Sequence, residues 1–581
     1  MLYVAVKSRI EAVLPPEEDK YSIDVIVNYI KNYFNDMIGV SYAGRRLLTP
    51  GEIEKEKERR AVRDAVRTCN HGNRTAKMLV KQYILNCLMN NYLVEADECN
   101  RVLPFNNPDA IKPQDKFEIL LYFYSQEYGT GAARILLERL LEIHNLRKKA
   151  SGSKNFENCI NADDVTALFD EKSFDYSIRD KAEIITHLVY RKYKGHGIID
   201  SLRDCDIDGI SAGVSGRVVT EKVKTAAELD EWGEPLNIGD DSPKNYDNVW
   251  VFLNGNMVRL AFMSFESETE LERVCKNVYR YNNPGQLSAA KGYIANEMQD
   301  GSRVIVVRPP FAESWALFIR KFGHRGIMKV GDLIKDPGSE ELITMLRFMI
   351  SGCQVFGITG EQGCGKTTML KALVEFIPPE YTLRVQELLF ELHLRDEYPE
   401  RNIVSFKETP EITGREGLDL QKKTDGTVNI IGEVSTAAVA GWLVMVSQVA
   451  SRFTIFTHHA KTTDSLIYSM RNDLMSSAGF NNETIAEAQV RNSIRFDVHM
   501  VKMPDGSRKI RRINEIFRER KNGRSFKTLL ELTDFGYVVC DSISKETEEE
   551  MLEFMQPEDR KQFLNAQMRW RKGGINEKQP A

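Results

Sequence analysis

The stretch VFGITGEQGCGKTTMLKALVEFI, residues 355–377, restricts the possible folds more than any other part of the chain. It contains Gly360-x-x-x-x-Gly365-Lys366-Thr367, with an apolar run before it (Gln354 to Ile358) and a helix-like run after it (Thr367 to Phe376). A glycine-rich turn between a buried strand and a helix lets consecutive backbone N–H groups curl round a phosphate, with the helix dipole behind them. The pattern predicts an α/β unit in which Gly360, Gly363, Gly365 and Thr368 line a nucleotide site. Lys366 reaches the β- and γ-phosphates, and the Thr367 hydroxyl ligates Mg²⁺. A coincidental turn is the alternative, and the flanking strand and helix weigh against it. Cys364 reads as a small residue tolerated in the loop.

Such a unit needs far fewer than the 581 residues present, so about three domains are expected. Residues 1–150 predict a mostly helical extension, because IDVIVNYIKNYFNDMI, AKMLVKQYILNCLMNNYLV and TGAARILLERLLEIHNLRKK repeat apolar residues at helical spacing. They carry no chemical constellation, which points to packing or partner contact. KKASGSKNFEN reads as a linker. Residues 159–325 mix helices and strands: NVWVFLNG and NMVRLAF form a hairpin at Asn254-Gly255, and SRVIVVRPP is a strand stopped by Pro309 and Pro310. VKTAAELDEWGEPLNIGDDSPKN reads as surface loop. Residues 330–535 alternate helices and apolar strands, and 536–581 read as a helical tail.

The formal net charge of -5 steers nothing globally toward nucleic acid, and no basic-aromatic track is evident, so no direct nucleic-acid binding is expected. Nine cysteines without a CxxC pair fit a reduced compartment. MLYVAVKSRIEAVLPPEEDK meets charge and proline before any long apolar run, and AAVAGWLVMVSQVA falls short of the roughly 20 apolar residues of a span. A cytoplasmic protein, peripheral at a membrane through a partner, is the expectation.

Phosphoryl chemistry also needs a group to place water. NIIGEV is an apolar strand ending in Gly432-Glu433, and Glu433 is the candidate for magnesium and water positioning if its strand neighbours the P-loop strand. In YTLRVQELLFEL, Glu387 follows a strand-like run and Glu391 is placed one helical turn later. Either could polarise water, and Glu387 is favoured. SRFTIFTHHAKTTD is a strand ending in His458 and His459. Adjacent residues of an extended segment face opposite ways, which argues against one metal held by both.

In this order the pieces resemble the type II and type IV secretion ATPases, above all the tight-adherence pilus (CpaF-like) and VirB11-like branches, over roughly residues 190–535. RDCDIDGISAG, DGSRV (Asp300 to Val304), IRKF (Ile319 to Phe322), GEV and THHA carry the resemblance, with FEL resembling the family's AEL. It implies a PAS-like α+β N-terminal domain and a RecA-like motor domain, an ATP- and Mg²⁺-dependent homo-hexamer, and an inner-membrane platform protein as partner. It also implies that Arg303 and Arg320 reach nucleotide phosphates, where a bidentate donor suits the building charge. His459 takes the place of a γ-phosphate sensor, and His458 that of an apolar packing residue. The basic residues Arg508, Lys509, Arg511 and Arg512 either meet a subunit or cargo or lie on a solvated hairpin.

Three features depart from the family. Ser435 follows GEV where arginine is usual, Gln421-Lys422-Lys423-Thr424-Asp425 replaces an arginine-rich stretch, and the histidine upstream of THHA is missing. The expected function is ATP-driven work on a pilus or secreted protein. The alternatives are a conjugative motor moving DNA–protein cargo and a nucleotide-binding scaffold with weak hydrolysis.

Overall fold

The computed structural model describes residues 20–39, 50–93, 95–150, 158–218, 242–253, 255–282, 284–321, 328–409, 412–421, 423–447, 451–477 and 480–576. Asn254, Phe322, Lys422, the QVA stretch at 448–450 upstream of THHA and most of the expected linker and surface loop lie outside them. Two compact units, Met1–Gly323 and His324–Ala581, are a coarser partition than the four segments expected.

In the first unit the helices Ile23–Gly39 (α1), Pro50–Thr68 (α2), Arg74–Asn91 (α3), Ala96–Val102 (α4), Pro113–Tyr128 (α5) and Ala132–Ala150 (α6) precede the sheet. Helices Ala162–Glu171 (α7), Ile178–Tyr193 (α8), Asp200–Asp204 (α9) and Glu268–Val278 (α10) lie among its strands in sequence. The strands are Cys159–Ile160 (β1), Gly209–Ala212 (β2), Asp247–Leu253 (β3), Asn256–Ser264 (β4), Tyr293–Glu297 (β5), Arg303–Val307 (β6) and Ala316–Arg320 (β7). They pair in the order β1-β4-β3-β2-β7-β6-β5. Leu253 opposite Asn256 closes the expected β3–β4 hairpin.

One apolar core includes Phe34, Leu88 and Phe117 of the early helices together with Ile160, Val251 and Leu260 of the sheet. The early helices are also joined to the rest of the unit by buried charge. Lys77 of α3 bonds Asp200 and reaches Asp204 at 2.5 Å, and Arg191 of α8 bonds Glu118 of α5 at 3.2 Å. Arg203 bridges to Asp300 at 3.1 Å, fastening the segment before β2 to the turn before β6. Lys77 holds the Asp200 carboxyl well below the usual range against the opposing effect of burial.

The second unit opens with Val330–Leu333 (α11), Ser339–Ser351 (α12), strand Phe356–Thr359 (β8) and Lys366–Leu373 (α13). Leu383–Glu387 (β9), Leu394–Glu397 (α14), Ile403–Lys407 (β10), Gly414–Gln421 (α15), Val428–Ile431 (β11) and Ala437–Ser447 (α16) follow. Next come Phe453–His458 (β12), Thr463–Ser477 (α17), Glu483–Ser493 (α18) and Phe496–Lys502 (β13). The antiparallel strands Arg508–Lys521 (β14), Arg524–Thr533 (β15) and Gly536–Val539 (β16), then Lys545–Phe554 (α19) and Pro557–Asn576 (α20), end the description.

The sheet order is β10-β9-β11-β12-β8-β13-β14-β15-β16, parallel from β10 to β13 and antiparallel beyond. Strands β8, β11 and β12 are buried at every residue, as expected of parallel strands covered on both faces. The segment read as a helical tail begins with edge strand β16, and its helices bury Met551, Phe563 and Trp570 in the same core as β8. No described helix is long and apolar enough to cross a membrane.

Lys77→Met removes the cation between two carboxylates and leaves a buried charge uncompensated. The loss is expected to be about 3 kcal/mol in urea unfolding of the full chain, largely recovered when Asp200→Leu is added. A single-variant loss below about 1 kcal/mol would contradict the role given to this pair.

Candidate nucleotide site

Strand β8 ends at Thr359 and α13 begins at Lys366, so the glycine loop sits between a buried strand and a helix N-terminus. Gly360 has φ +143° and a Cβ there would lie 2.2 Å from the Met500 carbonyl oxygen, so the loop passes too close to β13 for any side chain. The Cys364 sulfur packs against this same glycine, and burial raises its thiol pKa. Lys366 Nζ donates to the carbonyls of Gly360 and Glu361, both at 2.9 Å, and burial lowers its pKa. Thr367 and Thr368 follow in the first turn of α13, half-buried.

The strand carrying Glu433 does not adjoin the P-loop strand: β12 lies between β11 and β8. The expected direct adjacency is therefore corrected, and the contact is made through the residue after β12. His459 Nε2 lies 3.0 Å from Glu433 Oε1, and its Nδ1 lies 3.3 Å from Lys366 Nζ. A carboxylate only accepts and an ammonium only donates, so the imidazole carries its hydrogen on Nε2. Lys366, His459 and Glu433 thus form one line. Thr457 Oγ1 donates to the Gly432 carbonyl at 2.5 Å, fixing the ends of β11 and β12 against each other.

The two histidines part as their alternation predicts. His458 is the last residue of β12, buried, with Nε2 3.3 Å from Ser469 Oγ of α17, and burial lowers its pKa to about 4. No group of three potential metal-binding side chains occurs among the described residues.

Glu387 is the last residue of β9 and lies against Gly432, where an added Cβ would be 3.1 Å from Glu387 Cγ. Its Oε1 accepts the N–H groups of Glu391 at 2.9 Å and Leu392 at 2.8 Å, while Oε2 is buried without a partner. Burial raises its pKa to about 7, and the two backbone donors only partly oppose that. Glu391 is not one helical turn along, as expected: helix α14 begins at Leu394, and Glu391 lies in the irregular segment that folds back onto Glu387.

Arg303 and Arg320 belong to the first unit, where they are directly opposed on antiparallel strands β6 and β7. The Arg320 guanidinium lies 5.7 Å from the centre of the Phe252 ring. The fold therefore gathers the nominated residues into two sets, this pair and the Lys366–His459–Glu433 line with Glu387. Of the basic hairpin, Lys509 Nζ bonds Asp336 at 2.6 Å and the Arg508 stem packs beside Gly365. Lys423 is exposed, and Gln421 is buried with Nε2 donating to Gln386 at 3.0 Å.

Sequence reading passed over Thr359, Thr463, Asp497 and His499, which form a buried polar cluster beside the loop. An aspartate and a histidine inside the otherwise apolar run FDVHMV were the available signal.

The chemistry of the loop suits a phosphate group. Lys366 offers an ammonium that now satisfies itself on loop carbonyls, contacts that phosphate oxygens could replace.

No family model and no curated protein matches the chain. Among solved structures it is similar to the VirB11 ATPase of the Brucella suis type IV secretion system, determined with sulphate, at 17% identity, over 53% of this chain and 88% of that one, with a TM-score of 0.27. The Legionella pneumophila ATPase DotB matches at 12% identity over 66% of this chain and 88% of that one, TM-score 0.38. The pilus retraction motor PilT with bound ADP matches at 11% over 65% and 89%, TM-score 0.36. Scores this low carry no part of the functional argument, which rests on the site itself.

Because the Glu387 carboxyl titrates near 7 in the folded chain against 4.5 ordinarily, the unfolded chain ionises first as pH rises. Stability from this group is whole below about pH 4.5 and lost as pH rises through about 7. Glu387→Gln should therefore stabilise the second unit by about 2 kcal/mol at pH 8 relative to its effect at pH 5, read from paired urea titrations. An equal effect at both pH values would contradict the assignment.

Proposed function

We propose that the chain is a Mg²⁺-dependent ATPase whose second unit is a RecA-like motor, and that it works as a ring, a homo-hexamer, to power pilus assembly or protein secretion. The observation that carries the proposal is the Lys366–His459–Glu433 line at the mouth of the glycine loop. The motifs DGSRV, GEV and THHA in this order support the motor reading, and they leave the cargo open between pilin, secreted protein and DNA–protein complex.

In this reading the backbone of Gly360, Gly363 and Gly365 and the first turn with Thr367 and Thr368 bind the phosphates. Lys366 gives up the loop carbonyls to pair with the β- and γ-phosphates. Thr367 and Glu433 would hold Mg²⁺, which would supply charge neutralisation at the phosphate oxygens. Glu433 orients the attacking water, and Glu387 behind Gly432 is the buried carboxylate able to accept its proton near neutral pH. His459, bonded to Lys366 and Glu433 at once, senses the γ-phosphate, because filling the Lys366 position changes both of its partners. Arg303 and Arg320, paired on one sheet, supply bidentate charge to a nucleotide. The protein would act in the cytoplasm on a membrane platform protein.

Purified full-length protein should release phosphate from ATP only with Mg²⁺. Lys366→Ala should lower the rate at least about 100-fold, and Glu433→Gln should lower kcat by a similar factor while nucleotide still binds. Wild type and Lys366→Ala equally inactive with Mg²⁺ present would overturn the proposal.

A further inference from the structure

We propose that Asp497 is a positioning residue that holds the phosphate-binding loop and the His459 segment at a fixed separation. The inference rests on the ATPase reading of the site. Asp497 lies on β13, fully buried, and each carboxylate oxygen takes one threonine hydroxyl. Thr359 donates to Oδ1 at 2.6 Å and Thr463 donates to Oδ2 at 2.5 Å.

The positions of those threonines give the arrangement its meaning. Thr359 is the last residue of β8, immediately before Gly360 of the loop whose carbonyls hold Lys366. Thr463 is the first residue of α17, four positions after His459. One carboxylate therefore grips the roots of both segments that meet at the 3.3 Å contact between Lys366 and His459.

Donors and acceptors agree throughout the cluster. Thr359 Oγ1, having donated to Asp497, accepts from His499 Nδ1 at 3.0 Å, and burial keeps that imidazole neutral, with its pKa lowered to about 4. Thr463 Oγ1 accepts from Asn514 Nδ2 at 2.7 Å, and Asn514 Oδ1 accepts from Thr528 Oγ1 at 2.9 Å. The line runs from the loop through β13 and α17 into the antiparallel strands β14 and β15. Both Asp497 oxygens accept from threonine hydroxyls; burial raises the pKa of the carboxyl, and those two donors oppose the rise. A buried network satisfied at every member specifies one geometry, and a half-satisfied one does not.

Asp497 bonds Thr359 and Thr463, so its effect reaches chemistry through the placement of Lys366 and His459. A misplacement of about 1 Å at a reacting centre can lower a rate about 100-fold.

The test uses the full-length chain with ¹⁵N-labelled histidine, the His459 signal being assigned by its loss in His459→Gln, and ATP turnover measured in parallel. In wild type His459 should read as the Nε2–H tautomer. Thr463→Val and Asp497→Asn should shift it toward the mixture of a free imidazole, and Thr463→Ser, which keeps the hydroxyl, should read as wild type. Thr463→Val should also lower kcat about tenfold or more with nucleotide affinity changed less than about threefold, and add less than about twofold in a His459→Ala background. If Thr463→Val does not fold, Thr463→Ala takes its place. An unchanged His459 tautomer in these variants would overturn the inference, as would a Thr463→Val effect that multiplies in full with His459→Ala. If wild-type protein hydrolyses no ATP, the ATPase reading fails by itself, and the tautomer comparison still decides the clamp.

Discussion

The ammonium of Lys366 has to be stabilised where water is largely excluded, and much of the second unit's geometry follows from how that is done. Two loop carbonyls and one imidazole nitrogen surround it. The carbonyls exist as partners because Gly360 bends tightly against β13, and the imidazole because β12 is inserted between β8 and β11. In that strand order the residue just beyond β12 touches the P-loop lysine on one side and the segment after β11 on the other. His459 occupies that position, with Nδ1 toward Lys366 and Nε2 toward Glu433. Glu387 completes the pattern on β9, where burial keeps a carboxyl close to neutrality in its titration. A group with a pKa near the working pH is suited to taking a proton and returning it.

The first unit depends on a different constraint. Its early helices share an apolar core with the sheet, and buried ion pairs between α3 and α9 and between α5 and α8 fix their placement. Apolar contacts alone tolerate slippage of one helix past another, whereas a buried charge without its partner is strongly unfavourable. The opposed arginines of β6 and β7 sit on the sheet that these helices help to hold.

What could be read from the sequence was mainly local. The strand, glycine loop and helix around Lys366 depend on neighbouring residues, as does the β3–β4 hairpin. The parting of His458 from His459 followed from strand alternation. Strand order did not, because placing β12 between β8 and β11 is a long-range choice that leaves no mark in the composition of any one strand. For the same reason Lys77 showed no sign of its partner, 123 residues away. Glu391 was misplaced because LLFEL has helical spacing, yet its N–H is used to satisfy Glu387 instead of a helix. Asp497 was passed over because its partners Thr359 and Thr463 lie 138 and 34 residues away.

The central claim is that the glycine loop, Lys366 and His459 form a nucleotide-responsive site. Its most direct test is a structure of the full-length protein with Mg²⁺ and a non-hydrolysable ATP analogue. The account predicts Lys366 Nζ about 3 Å from β- and γ-phosphate oxygens, released from the carbonyls of Gly360 and Glu361, with Thr367 on the metal and His459 displaced from its 3.3 Å contact. An analogue bound with its phosphates elsewhere, or bound in the loop with Lys366 still on those carbonyls, would contradict it.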